Sequence, residues 1–250
     1  MTPVVLALVA GAVVGLALGA LGGGGSVLTV PALIYLLGFD TAQATTASLV
    51  VVASTSATAL FAHARAGAVR WRLGALFAAA GALPAVAAGL LSRRVPDAVL
   101  TGAFAVVAVV AAVLVLRGRS PGTGPVRPAR AAGAGAGVGA LTGFLGVGGG
   151  FLTVPALVGV LAVPVRSAVG TSLLVITVNA VAAFGSRLGS LAAVDWALVA
   201  PFAATALLGA WDGRRLAARV STALLRRVFA SALVAVAGVM AVDALLVHSG

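Results

Sequence analysis

The chain alternates long apolar runs with short polar or basic connectors. Pro3–Leu21 is one apolar stretch, followed after a glycine cluster by a shorter one at Ser26–Leu37. Gly38-Phe39-Asp40 turns the chain, and Thr41–Ala62 is the next run. A basic connector carries His63, Arg65, Arg70 and Arg72. Leu73–Leu91 and Ala98–Leu116 follow, joined by Ser92-Arg93-Arg94-Val95-Pro96-Asp97. Arg117–Arg130, rich in Pro, Gly and Arg, is the only hydrophilic connector of any length. The order then repeats. Ala131–Leu145, Phe151–Leu161, Ser167–Phe184, Trp196–Trp211 and Val228–Val247 are apolar, and Asp212–Arg227 between the last two carries five arginines and reads as a short surface helix. A helix needs ~20 apolar residues to cross a bilayer, so most of these runs predict single spans.

The shorter runs follow two copies of one motif. Leu21-Gly22-Gly23-Gly24-Gly25-Ser26-Val27-Leu28-Thr29-Val30-Pro31-Ala32-Leu33 returns 124 positions later as Leu145-Gly146-Val147-Gly148-Gly149-Gly150-Phe151-Leu152-Thr153-Val154-Pro155-Ala156-Leu157, identical at ten of thirteen places. Gly-Gly-Gly-Gly-Ser alone has the composition of a flexible linker. A linker has polar flanks and need not be duplicated, whereas both copies interrupt apolar segments and continue into Leu-Thr-Val-Pro-Ala-Leu. A glycine cluster there breaks the helix, and the residues after it open a second, shorter one. The same offset pairs Ala44 with Ala168 and Ser48-Leu49 with Ser172-Leu173. Paired breaks in corresponding halves point to a transporter's binding site.

Parity predicts how the halves are related. Ser26–Leu37 is too short to span upright and Pro3–Leu37 too long for one crossing. Each broken pair therefore enters and leaves on one side, as a re-entrant hairpin or as two tilted crossings. Three single spans follow, an odd number, so the second half is inverted. With the N-terminus outside, the basic stretches 63–72, 117–130 and 212–227 all fall on the cytoplasmic side. Only Arg93-Arg94 runs against the rule. The expected fold is an all-α polytopic membrane protein of two inverted repeats. Residues 1–116 and 131–250 form the repeats, each a Gly-broken helical hairpin plus three transmembrane helices, around a cytoplasmic basic linker at 117–130.

Composition narrows the function. Of 250 residues 62% are hydrophobic and 8% charged, with mean hydropathy +1.20, a balance that excludes a soluble domain. Net charge +11 would suggest nucleic acid in a soluble chain. In a membrane protein arginines in short loops set orientation instead, so no nucleic-acid partner is expected. The apolar start lacks a basic n-region and its pattern recurs at Ala131–Leu145, so it reads as a mature helix rather than a signal peptide. The absence of cysteine removes disulfides and thiolate chemistry. There is no ATP-binding glycine–lysine loop, no paired carboxylates, no His cluster and no serine beside a base, so neither an enzyme nor an ATP-driven pump is expected. His63 and His248 lie in a loop and at the tail, Asp243 lies near the end of its run, and Trp71, Trp196 and Trp211 mark span ends. Neither metal nor cofactor is expected.

Taken together, the duplicated glycine segment with Leu-Thr-Val-Pro-Ala-Leu, the Ala-x-x-Ala/Thr-Ser-Leu stretch, the central basic linker and the Arg-Arg pairs near the third spans resemble the TauE/SafE sulfite-exporter family. The resemblance covers about residues 5 to 247. It implies transport of sulfite, sulfonates or other small organic or sulfur-containing anions across the bacterial inner membrane. The first copy departs in having Thr46-Ala47-Ser48 where the second has Gly170-Thr171-Ser172.

The residues near the breaks suit an anion on their own chemistry. They offer uncharged donors: the backbone of Gly24, Gly25, Gly148, Gly149 and Gly150, the hydroxyls of Ser26, Thr29 and Thr153, and one helix on Thr46, Ser48, Thr171, Ser172 and Asn179. Buried donors at helix starts hold a negative oxygen-rich ligand without a buried cation. A cation site would need carboxylates, and none lies mid-span. Thr29 and Thr153 are expected near the end of the short helices' first turns, face to face near the midplane with one anion between. Pro31 and Pro155 are expected as first-turn or kink prolines. The leading expectation is a secondary transporter or facilitator. A passive anion channel is the alternative, since no proton- or sodium-coupling group is evident.

Overall fold

The structure is a computed structural model that describes residues 2–22, 24–92, 95–117, 126–145, 150–185 and 194–248. All regular structure among them is helical. The first half holds α1 (Thr2–Leu21), α2 (Gly24–Pro31) continued as a π segment (Ala32–Leu36), α3 (Thr41–Arg65), α4 (Trp71–Ser92) and α5 (Asp97–Arg117). The second holds α6 (Pro128–Leu145), α7 (Thr153–Pro155) with its π segment (Ala156–Val160), α8 (Val165–Gly185), α9 (Trp196–Arg219) and α10 (Thr222–His248). Among the described residues four helices are long and apolar enough to cross a bilayer by length and composition: Pro3–Leu21, Gln43–Arg65, Trp71–Leu91 and Val165–Phe184. Leu83, Val86, Val106 and Leu208 stand on the outside of the bundle, each more than half exposed, as lipid-facing side chains do. This is an all-α polytopic membrane protein.

The element boundaries follow the apolar runs except around 212–227, where α9 runs on and α10 starts at Thr222 rather than at Val228. The span expected to end at Trp211 continues as a single helix to Arg219, with no separate surface helix. Asp212 and Arg215, three positions apart, pair at 3.3 Å on its exposed face, so its polar last turns stay helical.

The prolines do more than kink their helices. In both copies the α-helix stops at the proline and the next five residues are π-helical. A proline has no N–H for the carbonyl four residues back, which frees the ladder to slip to the wider register. Each π segment then closes on the same turn. The Phe39 amide donates to the Leu33 carbonyl (3.1 Å), and the Val163 amide to the Leu157 carbonyl (2.8 Å). The left-handed residue of the turn is Gly38 (φ 73°) in one copy and Ala162 (φ 52°) in the other. The turn therefore repeats at the 124-residue offset even where the residue types differ.

The helices pair across the halves. α1 packs most extensively on α9, and α4 on α6. Glycine lets their backbones touch. A β-carbon on Gly11, Gly15 or Gly19 would lie 2.1–2.2 Å from the carbonyl oxygens of Phe202, Ala206 and Ala210. On Gly135, Gly139 and Gly143 it would lie 2.0–2.5 Å from those of Phe77, Gly81 and Ala85. Numbers rise together in each pair, so α1 runs parallel to α9 and α6 parallel to α4. These are small-xxx-small seams of the kind that hold membrane helices together. The second seam repeats the first with the halves exchanged.

α3 and α8 meet in the middle and run opposite ways. Thr177 Oγ1 donates to Ser56 Oγ (3.0 Å), while the Arg70 amide, beyond the end of α3, donates to Thr171 Oγ1 (3.1 Å) early in α8. α1 and α3 run the same way. Ala7, Ala10 and Val14 share an apolar cluster with Ala44, Ala47 and Val51, and at the far end His63 Nε2 donates to the Gly19 carbonyl (3.1 Å). The chain from Gly22 to Asp40 therefore travels back along the bundle. Asp40 then starts α3 as its N-cap, accepting from the Gln43 amide at 2.9 Å.

Candidate functional site

The first break is built around Gly22, whose left-handed backbone (φ 68°) ends α1 while its amide donates to the Leu18 carbonyl (2.9 Å). A β-carbon there would stand 2.6 Å from Ser172 Oγ and 3.2 Å from the Val169 carbonyl oxygen. The first-half break thus lies directly on the second half's Thr-Ser-Leu motif. Glycine is required twice at this position, for its backbone conformation and for the space.

The predicted residues fall into three groups. Gly148 and Gly149 lie outside the described residues. Gly24, Gly25 and Ser26 are described by backbone alone, as the first turn of α2. The rest are placed. Thr29, Thr153, Thr171 and Ser172 are fully buried, Thr46 and Ser48 nearly so, Gly150 is buried and Asn179 half-buried.

Two threonines sit differently from expectation. α2 already begins at Gly24, so Thr29 is its sixth residue and falls in the second turn. Thr153 is the first residue of α7, its amide donating to the Gly150 carbonyl (3.3 Å) after a turn at Phe151-Leu152. The equivalent threonines are thus offset within their helices, because the second copy spends its first residues in the turn.

The hydroxyls one helix on are partly committed. Ser48 donates to the Thr45 carbonyl and Ser172 to the Val169 carbonyl, both at 2.8 Å and matched at the 124-residue offset. Each serine proton is held by its own helix, leaving the oxygen lone pairs. Thr171 Oγ1 accepts the Arg70 amide, so its proton remains to donate.

These hydroxyls form two stations. Ser48 lies eight residues before Ser56 and Ser172 five before Thr177, and the helices run oppositely. At 1.5 Å rise per residue the two serines are about 20 Å apart along the bundle. Thr46 and Ser48 therefore mark one end of the α3–α8 pair, with Thr171 and Ser172 towards the other.

Two adjoining cavities open at the Ser172 end. The smaller, about 10 Å³, lies between Leu21 at the first break, Val154 beside Thr153, Val169 on α8, and Arg226 and Phe229 on α10. It brings the flank of the first break to the segment that follows the second. The larger, about 160 Å³, is walled by Ala20, His63, Ala66, Ala68, Arg166, Ala217 and Ala218, and shares Val165, Val169 and Leu225 with the smaller. It joins the basic stretches 63–72 and 212–227 at one end of the molecule. Neither described wall contains an acid. Among the described residues no group of His, Cys, Asp and Glu is placed to hold a metal.

Sequence reasoning set His63 in a loop, whereas it is buried in the last turns of α3. Arg226 was counted only in the basic stretch 212–227 and Arg166 was passed over, and only packing reveals that both line the cavities. The glycine seams were legible, since glycines stand every fourth residue at 11, 15, 19 and at 135, 139, 143.

A bundle of apolar, lipid-facing helices with buried Ser172 against the first break is the frame of a multi-pass protein of the cell membrane, and the relatives below make its class that of membrane transporters. The chain belongs to the family described as sulfite exporter TauE/SafE, whose pattern it matches over residues 7–240. Two relatives from Xylella fastidiosa agree, each called a probable membrane transporter protein. The one from strain 9a5c is 36% identical over 240 residues, 91% of this chain and 90% of the relative. The one from strain Temecula1 is 35% identical over 243 residues, with the same coverage.

Proposed function

We propose that the protein is a secondary transporter or facilitator of small anions, sulfite and sulfonates foremost, built from inverted repeats at 1–116 and 131–250 around a cytoplasmic linker at 117–130. The observation that carries this reading is the first break lying on Ser172 with Val154 of the second broken segment in the same cavity wall. Buried hydroxyls and a wall without acids favour an oxygen-rich anion over a cation. Inversion is supported by the opposite directions of α3 and α8 and by the exchange of partners between the seams. An axis in the membrane plane reverses equivalent helices, whereas an axis along the normal leaves them parallel.

In this scheme the anion moves between the Thr171–Ser172 and Thr46–Ser48 stations, past buried Thr29 and Thr153. Polar groups along this path, among them the Thr171 hydroxyl, replace part of its hydration. The test is flux of labelled sulfite, thiosulfate, sulfonates and short carboxylates in proteoliposomes, with and without proton and sodium gradients. Saturable anion flux is expected. A protein that moves none of these anions refutes the reading, and flux that no ion gradient drives uphill makes it a passive channel.

A further inference from the structure

The basic end of the bundle holds cations in an unusual place. Arg226 is half-buried on α10, and its Nε–H is fully enclosed with no hydrogen-bond partner. An enclosed guanidinium donor without an acceptor is unfavourable, so the arrangement favours a ligand that supplies one. Arg226 lies in the wall shared by Leu21 and Val154, beside the first break. One cavity further out, Arg166 reaches across to donate from Nη2 to the Ala218 carbonyl (3.3 Å), and His63 stands opposite, more than nine-tenths buried. His63 donates to the Gly19 carbonyl in the last turn of α1, which fixes its ring in the wall. The outer cavity's volume, about 160 Å³, is ample for a small oxyanion, and apolar Val165, Val169 and Leu225 separate it from the inner one.

We infer that the outer cavity is an anion-collecting vestibule on the basic side, in which Arg166 beside His63 gathers a sulfonate-like or sulfite-like anion, while Arg226, in the wall of the adjoining cavity of about 10 Å³ that is too small to hold the anion itself, adds positive charge between the vestibule and the first break. This rests on the transport reading for its purpose, though not for its measurement. The class of ligand follows from the walls. A bidentate guanidinium matches a sulfur oxyanion's edge, and low-dielectric walls of one charge sign raise local anion concentration and on-rate. Arg166 and Arg226 act on substrate binding at this face, while the hydroxyl stations lie deeper.

The chain has no cysteine, which allows a direct electrostatic measurement. Ala217→Cys places one thiol on the outer wall. Its modification rate is taken with anionic sulfonatoethyl methanethiosulfonate and with cationic trimethylammonioethyl methanethiosulfonate, each normalised to a free small thiol. The anionic reagent is expected to be favoured by ~tenfold or more. Arg166→Gln and Arg226→Gln should each cut that preference several-fold, Arg166→Lys should retain most of it, and exposed Arg227→Gln, outside both walls, should leave it unchanged. Methanesulfonate, which does not react with the reagents or with the disulfide they form, should slow labelling in the parent. If Arg226→Gln fails to purify as a monodisperse protein, Arg166→Gln and the methanesulfonate protection decide. A parent preference near unity, or one untouched by Arg166→Gln, overturns the vestibule. A protein that shows the preference but moves no anion overturns the transport reading alone.

Discussion

Replacing Gly139 by alanine adds one methyl group, and the seam between α6 and α4 has no room for it. The new β-carbon would stand 2.1 Å from the Gly81 carbonyl oxygen and 2.6 Å from the Gly81 Cα, both backbone atoms that cannot rotate away. Ordinary contact begins near 3.4 Å, so the axes must part by about 1.3 Å at that level. A gap of even 0.5–1 Å forfeits roughly a quarter to a half of each dispersion contact it opens. Overpacking of this kind costs ~1–3 kcal/mol. At roughly 2–4 °C per kcal/mol for a chain of this size, the melting temperature in detergent should fall by about 2–12 °C. Gly137→Ala is the control in the same helix, because nothing lies within 4 Å of its β-carbon. There alanine's better helix propensity should leave stability unchanged or raise it by up to ~1 kcal/mol. Thermal melting of the two purified variants beside the parent, followed by size-exclusion recovery, measures the difference. Equal melting temperatures for Gly139→Ala and Gly137→Ala would refute the close-packed seam.

Thr29→Val and Thr153→Val keep shape and remove a buried hydroxyl, and each should weaken substrate affinity by ~1.5–3 kcal/mol. Unchanged affinities in flux assays would remove both from the path. Ala162→Gly should relieve the left-handed strain at φ 52° and raise stability by roughly 1 kcal/mol, whereas Gly38→Ala at φ 73° should lower it by about as much. Melting curves that ignore both exchanges would show the turns to be unstrained. Reporter fusions after residues 120 and 220 should both report cytoplasm and one at 190 the outside, and disagreement between the first two would reject inversion.

Much of the architecture was legible because a bilayer leaves few choices. Apolar runs such as Thr41–Ala62 and Leu73–Leu91 gave helices within three residues of the observed ends, since only a continuous helix satisfies its backbone in lipid. Three features were not legible. The π segments depend on how the chain reconnects after Pro31 and Pro155, and propensity does not encode that. α9 runs through Asp212 because a pair one turn apart offsets its polarity, which a hydropathy reading treats as an ending. The separation of Ser48 from Ser172 by about 20 Å follows from the opposite sense of two helices. Sequence identity between the motifs suggested one meeting point, whereas the geometry sets each towards its own end. Arg226 was hidden for a related reason: its burial comes from neighbours far away in the chain.

The exchanged seams also govern how the protein is made. Gly11 meets its partner at Phe202 only when 191 further residues have been synthesised, roughly 10–40 s at ~5–20 residues per second. α4 finds α6 far sooner, Phe77 reaching Gly135 after 58 residues. During the interval α1 stands in lipid with a glycine groove that nothing in its own half fills. α1, inserted before the other described helices, is thus among the last of them to be packed, and any quality-control factor that scans newly inserted helices would meet that groove throughout translation of the second half.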